Sequence, residues 1–222
     1  MKDFKIYEEN LMKREDSFCF HCDGCGKCCR KRNDLLLTPF DIFRLRKKLN
    51  VDLRHFIDRY CDIYIGSASH FPIVRLKAEE KCCFLRHNMC SVHEVKPAVC
   101  ALFPLGRTGI YGPNGYSLGY FLQDVSCGDR NEEHTISSWT KNLGEDYEAF
   151  CGIRDNLMND ILPFMKSIAN EESAPQNILQ NMVFEIFYNN YDLQQEFLPQ
   201  FKEHADTLRR FSKDALKILS AE

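Results

Sequence analysis

Residues 18–37 read FCFHCDGCGKCCRKRNDLLL, and the reading of this stretch decides how the rest of the chain is interpreted. Cys19, Cys22, Cys25, Cys28 and Cys29 crowd into it, with Gly24 and Gly26 between them. Glycine beside dense cysteine rules out a regular helix and predicts a tight loop organised by something it binds. Thiolates hold a metal when several converge without stretching the backbone, and a two-residue gap lets one turn deliver two sulfurs to one ion. Cys19-x2-Cys22-x2-Cys25-x3-Cys29 has the intervals of the bacterial ferredoxin run, and Cys22-x2-Cys25-x2-Cys28 offers an overlapping register. Arg30 stands where a ferredoxin carries proline, so the spacing is informative and the ferredoxin identity is not. Lys27, Arg30, Lys31 and Arg32 are candidates to offset thiolate charge, with a solvated basic face as the simpler alternative.

The chain has twelve cysteines. A second group lies in CCFLRHNMCSVHEVKPAVCALFP, from Cys82 to Pro104, while Cys61, Cys127 and Cys151 stand alone. Thiols scattered as core hydrophobes would not cluster in this way. The opening MKDFKIYEEN contains acids and no apolar run of a secretory signal, and no later stretch approaches the roughly 18 apolar residues of a membrane span. A cytoplasmic protein is expected, in which thiols stay reduced and clustered cysteines are metal ligands rather than disulfides. With 44% hydrophobic and 27% charged residues and a net charge of -3, the composition is ordinary and gives no general attraction to nucleic acid or an anionic membrane.

Past the first cysteine group the pattern becomes regular. Thr38-Pro39-Phe40-Asp41 offers a capping threonine, a proline at the first helical position and an acid at the third, which predicts a helix to about Lys48 with Phe40, Phe43 and Leu45 buried. Asp52 opens a second helix with Leu53, Phe56, Ile57 and Tyr60 at helical spacing, ending near Cys61. Residues 71–77, FPIVRLK, read as a strand, and RTGIYGPNGYSLGYFL as a hairpin turning at Pro113-Asn114-Gly115. Three or four short strands in all are expected. The first seventeen residues read as a short helix or an extended arm. From about residue 131 helical periodicity takes over, in stripes through Phe150, Leu157, Ile161 and Phe164, then Ile178, Met182, Val183 and Phe187, then Phe201, Leu208, Phe211 and Leu216. Pro163 is expected to kink a helix, and Ser173-Ala174-Pro175 to separate two. The expected fold is α+β and predominantly helical: a cysteine-rich metal-binding core with short β-hairpins over 18–130, and a helical extension over 131–222 packed on it.

Five elements in order resemble the YkgJ-type cysteine-cluster family, also called the CxxCxxCC domain, a group described as iron- or zinc-chelating. They are the CxxCxxCC run at 22–29, Leu37-Thr38-Pro39-Phe40-Asp41, Cys82-Cys83-Phe84-Leu85, the segment from Cys90 through Pro97 and Cys100 to Phe103-Pro104, and Cys127-Gly128. Carried over by position, the resemblance implies Cys22, Cys25, Cys28, Cys29, Cys82, Cys90, Cys100 and Cys127 as cofactor and metal ligands. Lys96 and His93 depart from the family's usual arginine and tyrosine. Eight sulfurs permit two four-cysteine sites, or one site with spare structural thiols. Adjacent Cys28 and Cys29 point apart in most backbone conformations. Cys19, Cys61, Cys83 and Cys151 fall outside the pattern and are read as buried small residues; His87 and His93 are weaker ligand candidates, and His21 a supporting group.

Soft thiolates select zinc or iron–sulfur. A ferredoxin-like run with later single cysteines favours a polynuclear iron–sulfur cluster, with 4Fe–4S expected and zinc the alternative. Phe18, Phe20, Phe84 and Phe103 are candidates to shield it from water. Three function classes follow: a metal-binding protein with a redox or cluster-dependent role, a structural zinc module presenting its helices to a protein partner, and a peptide- or protein-modifying enzyme. The last is implied only by the occurrence of the same domain in flagellin lysine N-methylase-like proteins. No glycine-rich dinucleotide loop, G-x-S-x-G elbow, P-loop or H-E-x-x-H is present.

Overall fold

The computed structural model describes residues 11–67, 69–112, 115–168 and 174–219. It divides into two compact units, each assembled from two separate stretches of chain: Met1–Leu35 with Lys77–Glu148, and Leu36–Leu76 with Ala149–Glu222.

In the second unit, helix α1 (Pro39–Leu49) starts as its sequence predicts. The Asp41 N–H donates to Thr38 Oγ1 and the Thr38 N–H donates back to Asp41 Oδ2 at 2.9 Å, so two of the helix's orphan donors are satisfied reciprocally. Asn50 closes it in the left-handed region at φ 52°, and α2 (Leu53–Tyr60) begins at once on the Asp52 cap. Cys61 then leads into β3 (Cys61–Ile65), which lies antiparallel to β4 (Pro72–Leu76); β2 (Leu36–Leu37) covers the other edge of β4. The long helices α5 (Glu145–Ile168), α6 (Ala174–Tyr188) and α7 (Phe197–Leu219) complete the chain. Pro163 sits within α5, which continues past it.

The core of this unit is aromatic. Phe40 stacks on Phe150 at 5.7 Å between ring centroids, Phe150 meets Phe201 at 4.7 Å, and Phe197 bridges Phe40, Phe43 and Phe150. Tyr188 is buried and donates its hydroxyl to the Pro72 carbonyl. One expected stripe is only half right. Val183 and Phe187 are buried, but Ile178 and Met182 are 60% and 43% exposed. The two pairs lie on faces about 140° apart around the helix, and periodicity alone does not say which face meets the core.

His204 on α7 gives this unit a pH dependence. Its ring stands 4.3 Å from Tyr191 and hydrogen-bonds the Ile186 backbone, while Nδ1 is buried with no hydrogen-bond partner. Burial pushes its pKa below the ordinary 6.5, against smaller opposing effects of the Ile186 bond and Glu203. The unfolded chain then takes up a proton before the folded one does. The stability His204 contributes is therefore complete above about pH 6.5 and is lost as pH falls below it. A urea midpoint that drops between neutral and mildly acidic pH in the wild type, with a shallower drop in His204→Gln, is the expected outcome; equal slopes would contradict it.

The first unit is built from short strands. β1 (Ser17–His21) pairs with β9 (Asp129–Thr135) in antiparallel register, Phe18 opposite His134 and Cys19 opposite Glu133. β5 (Leu85–Arg86) and β6 (Met89–Cys90) form a minimal hairpin, and β7 (Leu105–Gly112) and β8 (Gly115–Leu122) a longer one. The expected long hairpin is present; its turn at Pro113-Asn114 lies outside the described residues, as do the first ten residues and Ser173. Helices α3 (Ala98–Leu102) and α4 (Ile136–Thr140) are short.

The β content is thus spread over more strands than the three or four expected. Strand β9 accounts for part of the difference: its sequence DRNEEHT is charged and mostly exposed, and it is a strand because β1 supplies the ladder, while Phe18 and Phe20 supply the buried face. Met12 bridges Tyr120, so residues 11–16 form no helix. Among the described residues no helix is long and apolar enough to cross a membrane.

Candidate metal centre

All eight motif cysteines belong to the first unit. The loop that carries four of them is set by two glycines, Gly24 at φ 64° and Gly26 at φ 69°, a region that costs any other residue a steric penalty. Gly26 opens a 3-10 turn, Lys27–Cys29. The tight winding brings Cys28 Sγ and Cys29 Sγ to 4.0 Å, so these neighbours converge instead of pointing apart.

Backbone pairing then carries the second cysteine group to the first. The Cys82 N–H donates to the Cys29 carbonyl at 2.7 Å, Arg30 bridges Lys81, and the Lys31 and Arg32 N–H groups donate to Glu80 and Ala78. Past Cys82 the chain turns at His87 and Asn88, both at positive φ (48° and 63°), the geometry of a tight two-residue hairpin turn, and this sets Cys90 opposite Leu85. Pro97 starts the turn that places Cys100, whose N–H donates to the Pro97 carbonyl. Cys127 approaches from the far side of the unit's sequence, where Lys27 Nζ donates to the Ser126 carbonyl at 3.0 Å.

The sulfurs sense one another. Cys29 is hydrogen-bonded to Cys28 and feels, in turn, Cys100, Cys82 and Cys90. Cys127 is hydrogen-bonded to Cys25 and also feels Cys28. The hydrogen bond between Cys28 and Cys29 pushes the Cys28 thiol up and pulls Cys29 down. Cys82 is lowered to about 6, chiefly by a hydrogen bond from Cys83, with the backbone N–H groups of Phe84 and Leu85 and the Arg86 charge helping against burial. For Cys90 and Cys127 burial is the largest influence and raises both.

Cations surround this group. Arg32 bonds Asp34, donates Nη1 to the Cys28 carbonyl, lies 5.8 Å from the Phe103 ring centroid and acts on Cys28 and Cys100. Arg86 acts on Cys82, Lys96 on Cys90 and Lys27 on Cys127. Of the four cations expected near the first cysteine group, Lys27 and Arg32 serve the sulfurs, whereas Arg30 donates to Asn88 Oδ1. Arg86 and Cys83 escaped the sequence reading; the only sequence signal was their adjacency to Cys82 and Leu85.

Seven of the eight motif cysteines are therefore near enough to influence one another's charge, Cys28 and Cys29 most closely, with Cys22 exposed in the loop beside them. None of the twelve cysteines is disulfide-bonded. Among the described residues no group of three or more His, Cys, Asp or Glu side chains is closed to coordinating distance. Of the candidate histidines, His87 and His93 are exposed, and His21 Nδ1 pairs with Glu132 at 2.8 Å.

The donor set fits a thiophilic metal. Thiolates are soft ligands of the kind that zinc and iron–sulfur clusters take, and Cys28 and Cys29, with sulfurs 4.0 Å apart, place two of them side by side. Gly128, next to Cys127, is a sensitive point of this framework: at φ 70°, a Cβ there would lie 2.4 Å from the His21 carbonyl oxygen and 2.5 Å from the Phe20 ring. Gly128→Ala should destabilise the unit by about 1–3 kcal/mol from the backbone conformation alone, and more from the overlap. A denaturation midpoint equal to wild type would contradict that reading.

Residues 21–128 match the model of a family described as a "putative zinc- or iron-chelating domain", which supports metal binding by this segment. No curated protein and no solved structure matches the chain. Over residues 21–128, then, the chain is similar to the CxxCxxCC family, as the spacing of its cysteines implies.

Proposed function

We propose that this is an iron–sulfur protein, its cluster held by the motif cysteines, with a redox or cluster-dependent role. The observation that carries the reading is the gathering of thiols from four separate stretches of chain, 25–29, 82, 90–100 and 127, beneath the positive charge of Lys27, Arg32, Arg86 and Lys96. A thiolate-ligated cluster carries net negative charge, and nearby cations and N–H donors stabilise it and raise its reduction potential. Buried Phe20 and Phe84, with Phe103 against Phe20 at 5.9 Å, support exclusion of water. When bound, such a cluster supplies one-electron chemistry. The protein's own residues bind it, lower the cost of its charge and shield it.

Anaerobic purification of the full chain, followed by iron, zinc and acid-labile sulfide analysis and a visible spectrum, tests this. A brown protein containing iron and sulfide, bleached when dithionite donates an electron and recoloured by an oxidant, is expected. Colourless protein containing zinc without sulfide overturns the iron–sulfur reading in favour of a structural zinc centre.

A further inference from the structure

We infer that the eight motif cysteines form two separate four-sulfur centres, Cys29 with Cys82, Cys90 and Cys100, and Cys127 with Cys22, Cys25 and Cys28, each taking a thiophilic metal of the zinc or iron class. This rests on the metal-binding reading above and specifies which sulfurs share an ion or cluster.

The first quartet is built by backbone geometry. The Cys82 N–H to Cys29 carbonyl bond joins two of its members directly. The Leu85 N–H donates to the Cys82 carbonyl at 2.9 Å, and the hairpin whose strand pairs Leu85 with Cys90 returns the third member to the same end. Gly26 faces that hairpin, 3.5 Å from the Asn88 carbonyl oxygen measured from where its Cβ would be, so the loop and the hairpin are in contact beside Cys29. Cys100 completes the set from the start of α3. The sulfurs follow the same grouping: those of Cys100, Cys82 and Cys90 all act on Cys29.

The second quartet has another scaffold. Cys127 follows Ser126, which is tied to Lys27, and precedes Gly128, which fits only against the His21 carbonyl and the Phe20 ring. This fixes Cys127 beside the 22–28 loop, where its thiol is hydrogen-bonded to Cys25 and interacts more weakly with Cys28. Cys22, Cys25 and Cys28 repeat at three-residue intervals, which lets successive turns present their sulfurs to one ion. Cys22 is exposed in that loop, three residues before Cys25.

Between the quartets stand Cys28 and Cys29, 4.0 Å apart and consecutive in the chain. Cys28 also reaches Cys90 and Arg32 reaches both Cys28 and Cys100, so the two centres are neighbours rather than remote. A single four-ligand centre would leave four motif thiols unengaged; the paired scaffolds give each of the eight a place.

The test maps cysteine alkylation by mass spectrometry on the full chain, purified anaerobically with its metal, in wild type, Cys22→Ser and Cys100→Ser, each against chelator-treated protein. Metal per chain is measured in parallel. Because Cys22 is exposed, its replacement removes no core contact. Two centres predict that Cys22→Ser exposes Cys25, Cys28 and Cys127 to alkylation and leaves Cys29, Cys82, Cys90 and Cys100 protected; Cys100→Ser gives the reciprocal pattern if it folds. One centre predicts that Cys22→Ser changes either nothing or every protected cysteine together, and either result overturns the partition while metal binding stands. Wild type that holds no zinc or iron after reconstitution overturns both readings.

Discussion

Cys82→Ala is expected to remove the metal of the quartet it shares with Cys29, Cys90 and Cys100, and with it the stability that the metal confers. Cys82 is 6% exposed, anchored to Cys29 through a 2.7 Å backbone bond and held largely as thiolate by Cys83. Metal affinity for a site absent from the unfolded chain is folding free energy, about 10–16 kcal/mol for structural zinc in small domains. Losing one of four thiolates forfeits a large share of that. Without metal, the substitution deletes only one small side-chain atom at a buried position, a change on the order of 1 kcal/mol. The signature is thus a contrast: thermal unfolding of wild type falls by several degrees or more on chelation, whereas the variant begins near the chelated value and responds little. Equal metal content and an equal chelator response in the two proteins would remove Cys82 from the ligand set.

Phe150→Ala should be the most damaging substitution in the second unit, at about 3–5 kcal/mol. Phe150 is 0% exposed and touches Phe40, Phe197 and Phe201, with the Arg154 guanidinium 5.7 Å from its ring centroid. Truncation opens a cavity among rings that cannot collapse into it without giving up their own stacking and edge contacts. Urea denaturation is the measurement, and Phe150→Leu should recover more than half of the loss because it refills most of the volume. A loss below about 1 kcal/mol for the alanine variant would mean that the aromatic cluster is not the unit's core. Metal content per folded chain should stay at the wild-type value, since every motif cysteine lies in the other unit.

Several features were legible in the chain because their causes are local. The Thr38–Asp41 capping box, the α2 start at Asp52, the β4 strand and the long hairpin depend on residues within a few positions of each other, and each is found where its sequence puts it. Likewise the spacing of Cys22, Cys25, Cys28 and Cys29 announces thiolate chemistry without any knowledge of the fold. Ile178 and Met182 mark the limit of periodicity, which identifies an apolar helix face but not its neighbour.

By itself, then, the amino-acid sequence determined the predominantly helical α+β class and the clustering of cysteines that points to zinc or iron chelation. Only the tertiary structure decided which sulfurs meet. The meeting depends on long-range backbone bonds, Cys82 to Cys29 and β1 to β9, and on a 3-10 turn that reverses the expected divergence of Cys28 and Cys29. It also decided that Leu36–Leu76, inserted between the two cysteine groups, forms one unit with Ala149–Glu222. The physical reason is the same in each case: the energy that sets these arrangements comes from burial and pairing between residues far apart in the chain, and no local pattern records it.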